Sequence, residues 1–297
     1  DFGVLLSNAD AAMYKAKEAG RNAFRFYSSE MNVVTLKHLL MESGLRRGLG
    51  AGEFVLHYQP LVNIESGATI GVEALIRWQN PDLGLISPDQ FIHVAEDIGL
   101  INPIGEWVLR EACRQIRAWQ DDGLPPLIVA VNVSPLQFRQ AGFVDTVARA
   151  LATSGLEARF LELELTEGTV MDDVELSLDA LSALKRMGVE LALDDFGTGY
   201  SSLAYLKRFP VGKLKIDRSF VRNLEVDADE RAIASTIVSI GRSLRLSVLA
   251  EGVETKEQYA ILRDIGCELV QGYFFSRPLP PEDLVKFLRK HPFVGKE

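Results

Sequence analysis

The sequence predicts an α/β fold, a modified (β/α)8 barrel of the TIM type whose first strand runs antiparallel to the others. Three observations predict it. Eight short strand-like segments can be marked along the 297 residues, with helical spacers between most of them. The first two, residues 54–62 and 69–77, are separated only by a short turn at Glu65-Ser66-Gly67. A gap that short permits a hairpin and excludes a parallel crossover. Polar residues follow the C-terminal ends of the strands, the rim on which such barrels carry their chemistry. An open doubly wound sheet is the alternative, and the position of the polar residues is what favours the barrel.

In chain order, Ser7-Asn8-Ala9-Asp10 reads as a capping box opening a helix from Ala11 to Glu18, with a stop at Gly20 and a strand-like tail from Asn22 to Tyr27. That unit, residues 1–28, is too small to fold alone. Residues 29–50 read as a linker helix, with Met31, Val34, Leu39, Leu40 and Leu45 suggesting one apolar side. Packing on the next domain is its plainest role, and passing signals between domains is the other. Residues 51–297 then hold the barrel. After the opening hairpin, Ser87-Pro88-Asp89-Gln90 caps a helix ending near Gly99. Asn102-Pro103 starts another, which places Ile104, Trp107, Val108, Ile116 and Trp119 on one side. Residues 127–133 form a near-continuous apolar run broken by Asn132, as expected of a strand covered on both faces, and Ser134-Pro135-Leu136-Gln137 begins the next helix. Strands follow at 160–165, 189–194, 213–217, 246–250 and 268–274.

An apolar share of 47% is ample for a sizeable core. The net charge of -9 argues against polymeric nucleic acid and against electrostatic docking on an anionic membrane. A small anionic ligand needs only local positive charge, which Arg77 and Lys215 supply. Two cysteines, Cys113 and Cys267, fit neither a disulfide framework nor a zinc site, so a reducing cytoplasm is the expected setting. No apolar run reaches transmembrane length. The chain begins at Asp1 without a signal peptide or starting Met, as a fragment would, and its parent is free to carry a membrane anchor.

The chemistry gathers at strand ends. Residues 189–193 deliver Asp194 and Asp195 into the glycine-broken turn Phe196-Gly197-Thr198-Gly199. In the next strand Lys213, Lys215 and Asp217 share one face while Leu214 and Ile216 share the other. Charge on an inward face is costly unless it is paired or bound to metal, so partners must come from elsewhere. Three more strand-like segments carry acids at their ends: Glu73, then Glu164 and Glu167, then Glu251 and Glu254. One such acid is ordinarily a solvated turn residue; acids ending strand after strand are not. With Asn132 and Gln271 they form a convergent set rich in oxygen and without a suitable His or Cys. Such a set suits Mg²⁺ or Mn²⁺, with Ca²⁺ binding but supporting little reaction. So many carboxylates around one mouth favour two ions over one. Two ions suit in-line displacement at phosphorus and hence a phosphodiester substrate. A glycosidase needs only two acids, and Asn132 and a buried Lys215 have no evident role in one.

Two resemblances sharpen this reading. Residues 9–22, ADAAMYKAKEAGRN, resemble the end of a GGDEF diguanylate cyclase domain whose own signature motif is missing here, so no cyclase activity is expected. Gly71-Val72-Glu73-Ala74-Leu75-Ile76-Arg77-Trp78 resembles the signature of EAL-domain cyclic di-GMP phosphodiesterases, and Asp194-Asp195-Phe196-Gly197-Thr198-Gly199 resembles their second signature. The similarity covers roughly residues 36–290 with its motifs in order. It implies hydrolysis of cyclic di-GMP to linear pGpG. One metal would be held by Glu73, Asn132, Glu164 and Asp194. The second would be held by Asp194 and Asp195, with Asp217 and Glu251 directly or through water. Lys215 would orient the attacking water and Glu251 would act as general base, while Glu167 and Glu254 brace the loop after Asp195 and the ligand shell. Gln59, the backbone near Leu75, Arg77 and Gln271 match positions that hold guanine or phosphate, although Gln59 and Gln271 equally suit satisfying backbone groups at the barrel end. Relatives often form homodimers beside the Asp195 loop. Relatives that have lost metal ligands serve as receptors or scaffolds, and the presence of an acceptable residue at every catalytic position here favours an enzyme.

Overall fold

The computed structural model describes residues 8–9, 12–13, 24, 26–198 and 203–290. It divides into two compact units, residues 1–55 with 77–101 and residues 56–76 with 102–297. The strands are β1 (Phe54–Asn63), β2 (Thr69–Asn80), β3 (Gly84–Ile86), β4 (Ile128–Asn132), β5 (Leu161–Thr166), β6 (Glu190–Phe196), β7 (Lys213–Ile216), β8 (Ser247–Ala250) and β9 (Leu269–Val270).

The larger unit is a closed barrel. Its strands run in the order β1-β9-β8-β7-β6-β5-β4-β2, and pairing of β1 with β2 completes the ring. From β2 through β4 to β9 every pairing in the ring is parallel, whereas β1 meets β9 antiparallel. The predicted architecture, with its reversed first strand, is therefore observed. Burial on both faces explains the composition of the strands: β5 is buried from Leu161 to Leu165 and β7 throughout. In β7 the outward Leu214 and Ile216 are buried, and the alternate Lys213 and Lys215 are buried as well. Two lysines, a residue type that water normally holds, have been drawn inside the barrel.

Helices cover the outside. The long helix α3 (Ile101–Asp121) buries Ile104, Val108, Leu109, Ala112, Ile116 and Trp119, close to the predicted stripe. Helix α4 (Pro135–Phe138) starts where anticipated, in a capping box of Ser134 and Gln137. Behind β5 lie α6 (Glu167–Met171) and α7 (Val174–Met187), behind β7 α9 (Ala228–Leu244), and behind β8 α10 (Lys256–Asp264), opened by a Thr255–Gln258 capping box. The remaining helices are α1 (Ser29–Ala51), α2 (Ile92–Asp97), α5 (Phe143–Ser154), α8 (Leu203–Leu206) and α11 (Pro281–Lys290). No helix among the described residues is long and apolar enough to cross a membrane.

In the smaller unit α1 ends at Gly52, whose φ of 70° is the left-handed cap that glycine accepts at little cost. The buried side of α1 includes Met41 and Leu45, while Leu39 and Leu40 of the predicted stripe are exposed. Gly44 and Gly48 lie on that same buried side. An added Cβ there would stand 2.7 Å and 2.9 Å from the ring of Trp78, so the two glycines are the space that the indole fills. Trp78 is fully buried between Phe54 and Phe91 and donates its Nε1–H to Glu53 Oε2 at 2.9 Å.

Three expectations change. The strand predicted over 268–274 is only Leu269–Val270, because Gly272 is pressed so closely against the backbone of Val253 that the chain leaves the ladder there. β2 continues to Asn80 and forms an unforeseen hairpin with β3, through a turn in which Asn80 Oδ1 accepts from the N–H groups of Asp82 and Leu83. Of the strand-like tail expected at 22–27, the described Phe24, Phe26 and Tyr27 lie in no regular element, and the other residues lie outside the described ones. Most of the cyclase-like segment 9–22 lies outside the described residues.

Candidate active site

At the barrel mouth the neighbouring parallel strands β2, β4, β5 and β6 each carry an acid or an amide. Register places Asn132 beside Glu164, and Thr166 beside Asp194, while Glu73 lies beside Ala130. The ladder extends one residue past β8, where Glu251 N–H donates to Ile216 O, and this brings Glu251 alongside the end of β7. The outcome is one ammonium ringed by carboxylates. Lys215 Nζ stands 2.6 Å from Glu164 Oε2, 3.1 Å from Asp194 Oδ2 and 2.5 Å from Glu251 Oε1.

A second chain of contacts joins it. Glu73 accepts from Asn132 Nδ2 at 2.6 Å and from Gln271 Nε2 at 2.5 Å; Gln271 also donates to Gln59 Oε1 at 2.9 Å, and Gln59 Nε2 donates to Ser276 O at 3.0 Å. The oxygen of the Gln271 amide, Oε1, is buried without a partner. At the end of β6 the register shifts, and Asp195 adopts a φ of 55°, a left-handed conformation costly for a residue with a Cβ. Asp194 Oδ1 accepts from Asp195 N–H, and Glu167, at the start of α6, accepts from Gly197 N–H at 3.5 Å.

Charge is badly out of balance here. Burial lifts the Glu164 carboxyl well above the usual range, with Lys215 pulling it down and Glu73, Asp194 and Glu251 pushing it further up. Glu251 is pushed up to about 8 by burial, against the pull of Lys215. Asp195 is raised by burial and then by Asp194 and Asp217. For Lys215 burial favours loss of the proton, but Glu164, Glu251, Glu73 and Asp194 together hold it on and raise the ammonium well above its ordinary value. One cation thus faces four carboxylates.

Of the residues proposed from the sequence, the structure joins Gln59, Glu73, Asn132, Gln271 and Lys215, Glu164, Asp194, Glu251 into these two connected groups. Asp217 lies next to Asp195 and caps a short turn by accepting from Ser219 N–H. Leu75 is half-buried two residues beyond Glu73, Glu254 is exposed with its N–H bonded to Gln258 Oε1, and Arg77 belongs to the smaller unit. The aromatic run Tyr273-Phe274-Phe275 just after Gln271 was not singled out, although its nearness to Gln271 was visible.

These donors fit a hard divalent cation. All are oxygens, and the burial that raises Glu164, Asp195 and Glu251, together with the carboxylate repulsion that adds to it, is what bound positive charge would offset. Among the described residues no three His, Cys, Asp or Glu side chains surround one metal-sized point; Lys215 holds the place of convergence.

Residues 42–278 match the EAL domain family. The chain is 52% identical over 281 residues to the bifunctional diguanylate cyclase/cyclic di-GMP phosphodiesterase MucR of Pseudomonas aeruginosa, covering 95% of this chain and 41% of that protein. It is 45% identical over 289 residues to the cyclic di-GMP phosphodiesterase NbdA of the same organism, covering 97% of this chain and 37% of that protein. The chain therefore spans less than half the length of these relatives. Among solved structures, the PaMucR phosphodiesterase in complex with c-di-GMP superposes with a TM-score of 0.81 at 52% identity, covering 82% of this chain and 99% of that one.

Proposed function

The chain belongs to the EAL domain family, and from that premise we propose that it hydrolyses cyclic di-GMP to linear pGpG with two Mg²⁺ or Mn²⁺ ions. The observation that carries the reading is the single buried ammonium of Lys215 against Glu164, Asp194 and Glu251, in a mouth where every inferred ligand position holds an oxygen donor. Such a deficit of positive charge suits a site completed by divalent cations and an anionic phosphodiester.

Glu73, Asn132, Glu164 and Asp194 would hold one ion, and Asp194, Asp195, Asp217 and Glu251 the other. When bound, the ions supply Lewis-acid charge at the reacting phosphate and favour ionisation of the attacking water. Lys215 orients that water and stabilises negative charge as it develops, which requires the ammonium to stay protonated. Glu251, held 2.5 Å from Lys215 and with its proton affinity shifted toward neutrality, is suited to take the water's proton. Glu167 supports the turn after Asp195 through Gly197, and Glu254 stands at the start of the loop leading to α10. Gln59, Leu75 and Gln271 would meet a guanine, with Arg77 on a phosphate. The partnerless buried Oε1 of Gln271 supports this, because it is an acceptor that the N–H edge of a guanine would satisfy.

Chromatography of cyclic di-GMP after incubation with the protein and Mg²⁺ should show pGpG. Full turnover in excess chelator, or none at any Mg²⁺ or Mn²⁺ concentration, would overturn the proposal.

A further inference from the structure

Among the helices on the outside of the barrel lies a cavity for which the chemistry above has no use. It sits between the first turns of α3 and α5 and the loop that joins α4 to α5, and its volume is about 310 Å³. That is the lower end of the range for small-molecule sites. A water molecule takes up about 30 Å³, so one water does not fill it.

Two amide side chains line this cavity with groups left over. Asn102, in the first turn of α3, buries its Oδ1 without a partner. Gln137, only 6% exposed, accepts from Ser134 N–H through Oε1 at 3.2 Å, and among the described residues its Nε2 donates to nothing. The two amides are neighbours. Gly105 follows Asn102 by three residues on one face of α3, and an added Cβ there would stand 1.6 Å from Gln137 Nε2, so the nitrogen occupies the space that the glycine leaves. Helix positions three apart have Cβ atoms about 5–6 Å from each other. An unused acceptor and an unused donor are therefore within reach of one small ligand.

Charge narrows the class of ligand. Arg149 is matched by Glu106 at 3.6 Å and donates to Thr146 Oγ1 at 2.9 Å, which leaves Asp145 as the surplus charge among the lining side chains. Asp145 stands in the first turn of α5, whose cap, Gly142, offers no side chain, so the positive end of that helix is already met by a carboxylate. A phosphate or carboxylate would be repelled.

We infer that the cavity binds a small neutral molecule with an amide edge, a carboxamide or lactam, whose N–H donates to Asn102 Oδ1 while its carbonyl oxygen accepts from Gln137 Nε2. Each amide then gains the partner it lacks, and a buried polar group is costly mainly when left unpaired. Discrimination follows from the same pairing, since an ester of equal shape lacks the donor and an acid carries the wrong charge.

Nicotinamide, methyl nicotinate and nicotinate differ in these respects at nearly one shape, and ligand-observed NMR titrations of the three on the intact chain test the inference. Nicotinamide should bind saturably, the ester about 2- to 10-fold more weakly, the range that one net hydrogen bond gives, and the acid more weakly still. Asn102→Leu should bring nicotinamide down to the level of the ester. Gln137→Glu, which keeps an oxygen for Ser134 N–H while removing the donor, should weaken both. Absence of saturable nicotinamide binding, which would leave the cavity to water alone, overturns the inference. So does equal affinity for amide and ester, or an unchanged affinity for nicotinamide in Asn102→Leu, which would put the binding elsewhere on the chain. Asn102 lies outside the barrel mouth, so Asn102→Leu should hydrolyse cyclic di-GMP within about twofold of wild type, and the phosphodiesterase reading stands or falls separately.

Discussion

The barrel interior holds two buried lysines on one strand, two residues apart, and they have different tasks. Among the described residues Lys213 meets Glu162 alone, at 2.6 Å, with both side chains at least nine-tenths buried. Lys215 meets Glu164 at the same distance on the same two strands but shares its ammonium with Asp194 and Glu251. Composition, spacing and burial are matched in the two tiers, and only the charge count differs. A one-to-one pair is electrically closed, so the lower tier asks for nothing further. The upper tier, with its surplus of carboxylate, is complete only with added positive charge. Buried lysine and glutamate are therefore not in themselves the mark of a site; the imbalance is.

The most direct way to break this comparison is Lys215→Ala, which should have the largest effect on turnover. In the proposed mechanism Lys215 acts mainly on the attacking water, whose charge changes only as the transition state forms. Turnover should fall about a hundredfold or more, while affinity for cyclic di-GMP stays within about tenfold. Single-turnover assays in Mg²⁺ and calorimetry in Ca²⁺ give the two quantities. Equal losses in both would make Lys215 a structural ion-pair residue like Lys213 and erase the distinction.

Asn132→Ala should come next, since it removes a proposed metal ligand that also holds Glu73, with turnover falling by at least the roughly ten- to hundredfold that loss of a ligand-orienting group gives. Asn132 is exposed at a strand end and holds Glu73 Oε1, so melting temperature should change little. Parallel loss of activity and stability would instead place Asn132 in the scaffold.

A smaller effect separates the metal-free protein from the loaded one. Folding raises Glu251 to about 8, so between its ordinary value of about 4.3 and pH 8 the folded chain binds more protons than the unfolded chain. Stability in chelator should therefore fall as pH rises through that window. Glu164 acts in the same direction, and Lys215, held protonated, does not titrate there. If Glu251 is a ligand as proposed, Mg²⁺ displaces its proton, so Mg²⁺ affinity should rise with pH and level off above about 8. Thermal melts from pH 5 to 9, with and without Mg²⁺, check both signs; a melting temperature that climbs with pH in chelator contradicts the charge surplus.

Much of this was legible in the residues because period and position carry it. The two-residue alternation of β7 showed that Lys213 and Lys215 face inward, and the three-residue turn after β1 showed that the first strand runs backwards. What stayed hidden depends on contacts between distant segments. Nothing local distinguishes Lys213, with one partner, from Lys215, with three, because the partners come from β5, β6 and the end of β8. Nothing local explains Gly44 and Gly48 within a helix until Trp78 is seen filling the space they leave. Gly272 reads as an ordinary strand residue until Val253 is found against it. Glu254 shares a strand-like run with Glu251, but Gly252, at a φ of 69°, breaks the alternation between them and leaves Glu254 exposed.

The smallest effect on turnover should come from removing the lower tier altogether. Replacing a buried ion pair with apolar side chains of similar volume is often neutral or stabilising, because the desolvation cost of both charges disappears together. Glu162→Leu combined with Lys213→Met should therefore fold, melt within a few degrees of wild type and hydrolyse cyclic di-GMP within about threefold. Either single change should be far worse for stability, by about 3–5 kcal/mol, since it strands one charge in the barrel. A thermodynamic cycle on melting temperature and kcat for the four proteins isolates the pair. If the double variant is stable but turns over a hundredfold more slowly, the lower tier aligns Lys215 as well as filling the barrel. The two tiers would then be one device, and the distinction drawn from charge count alone would fail.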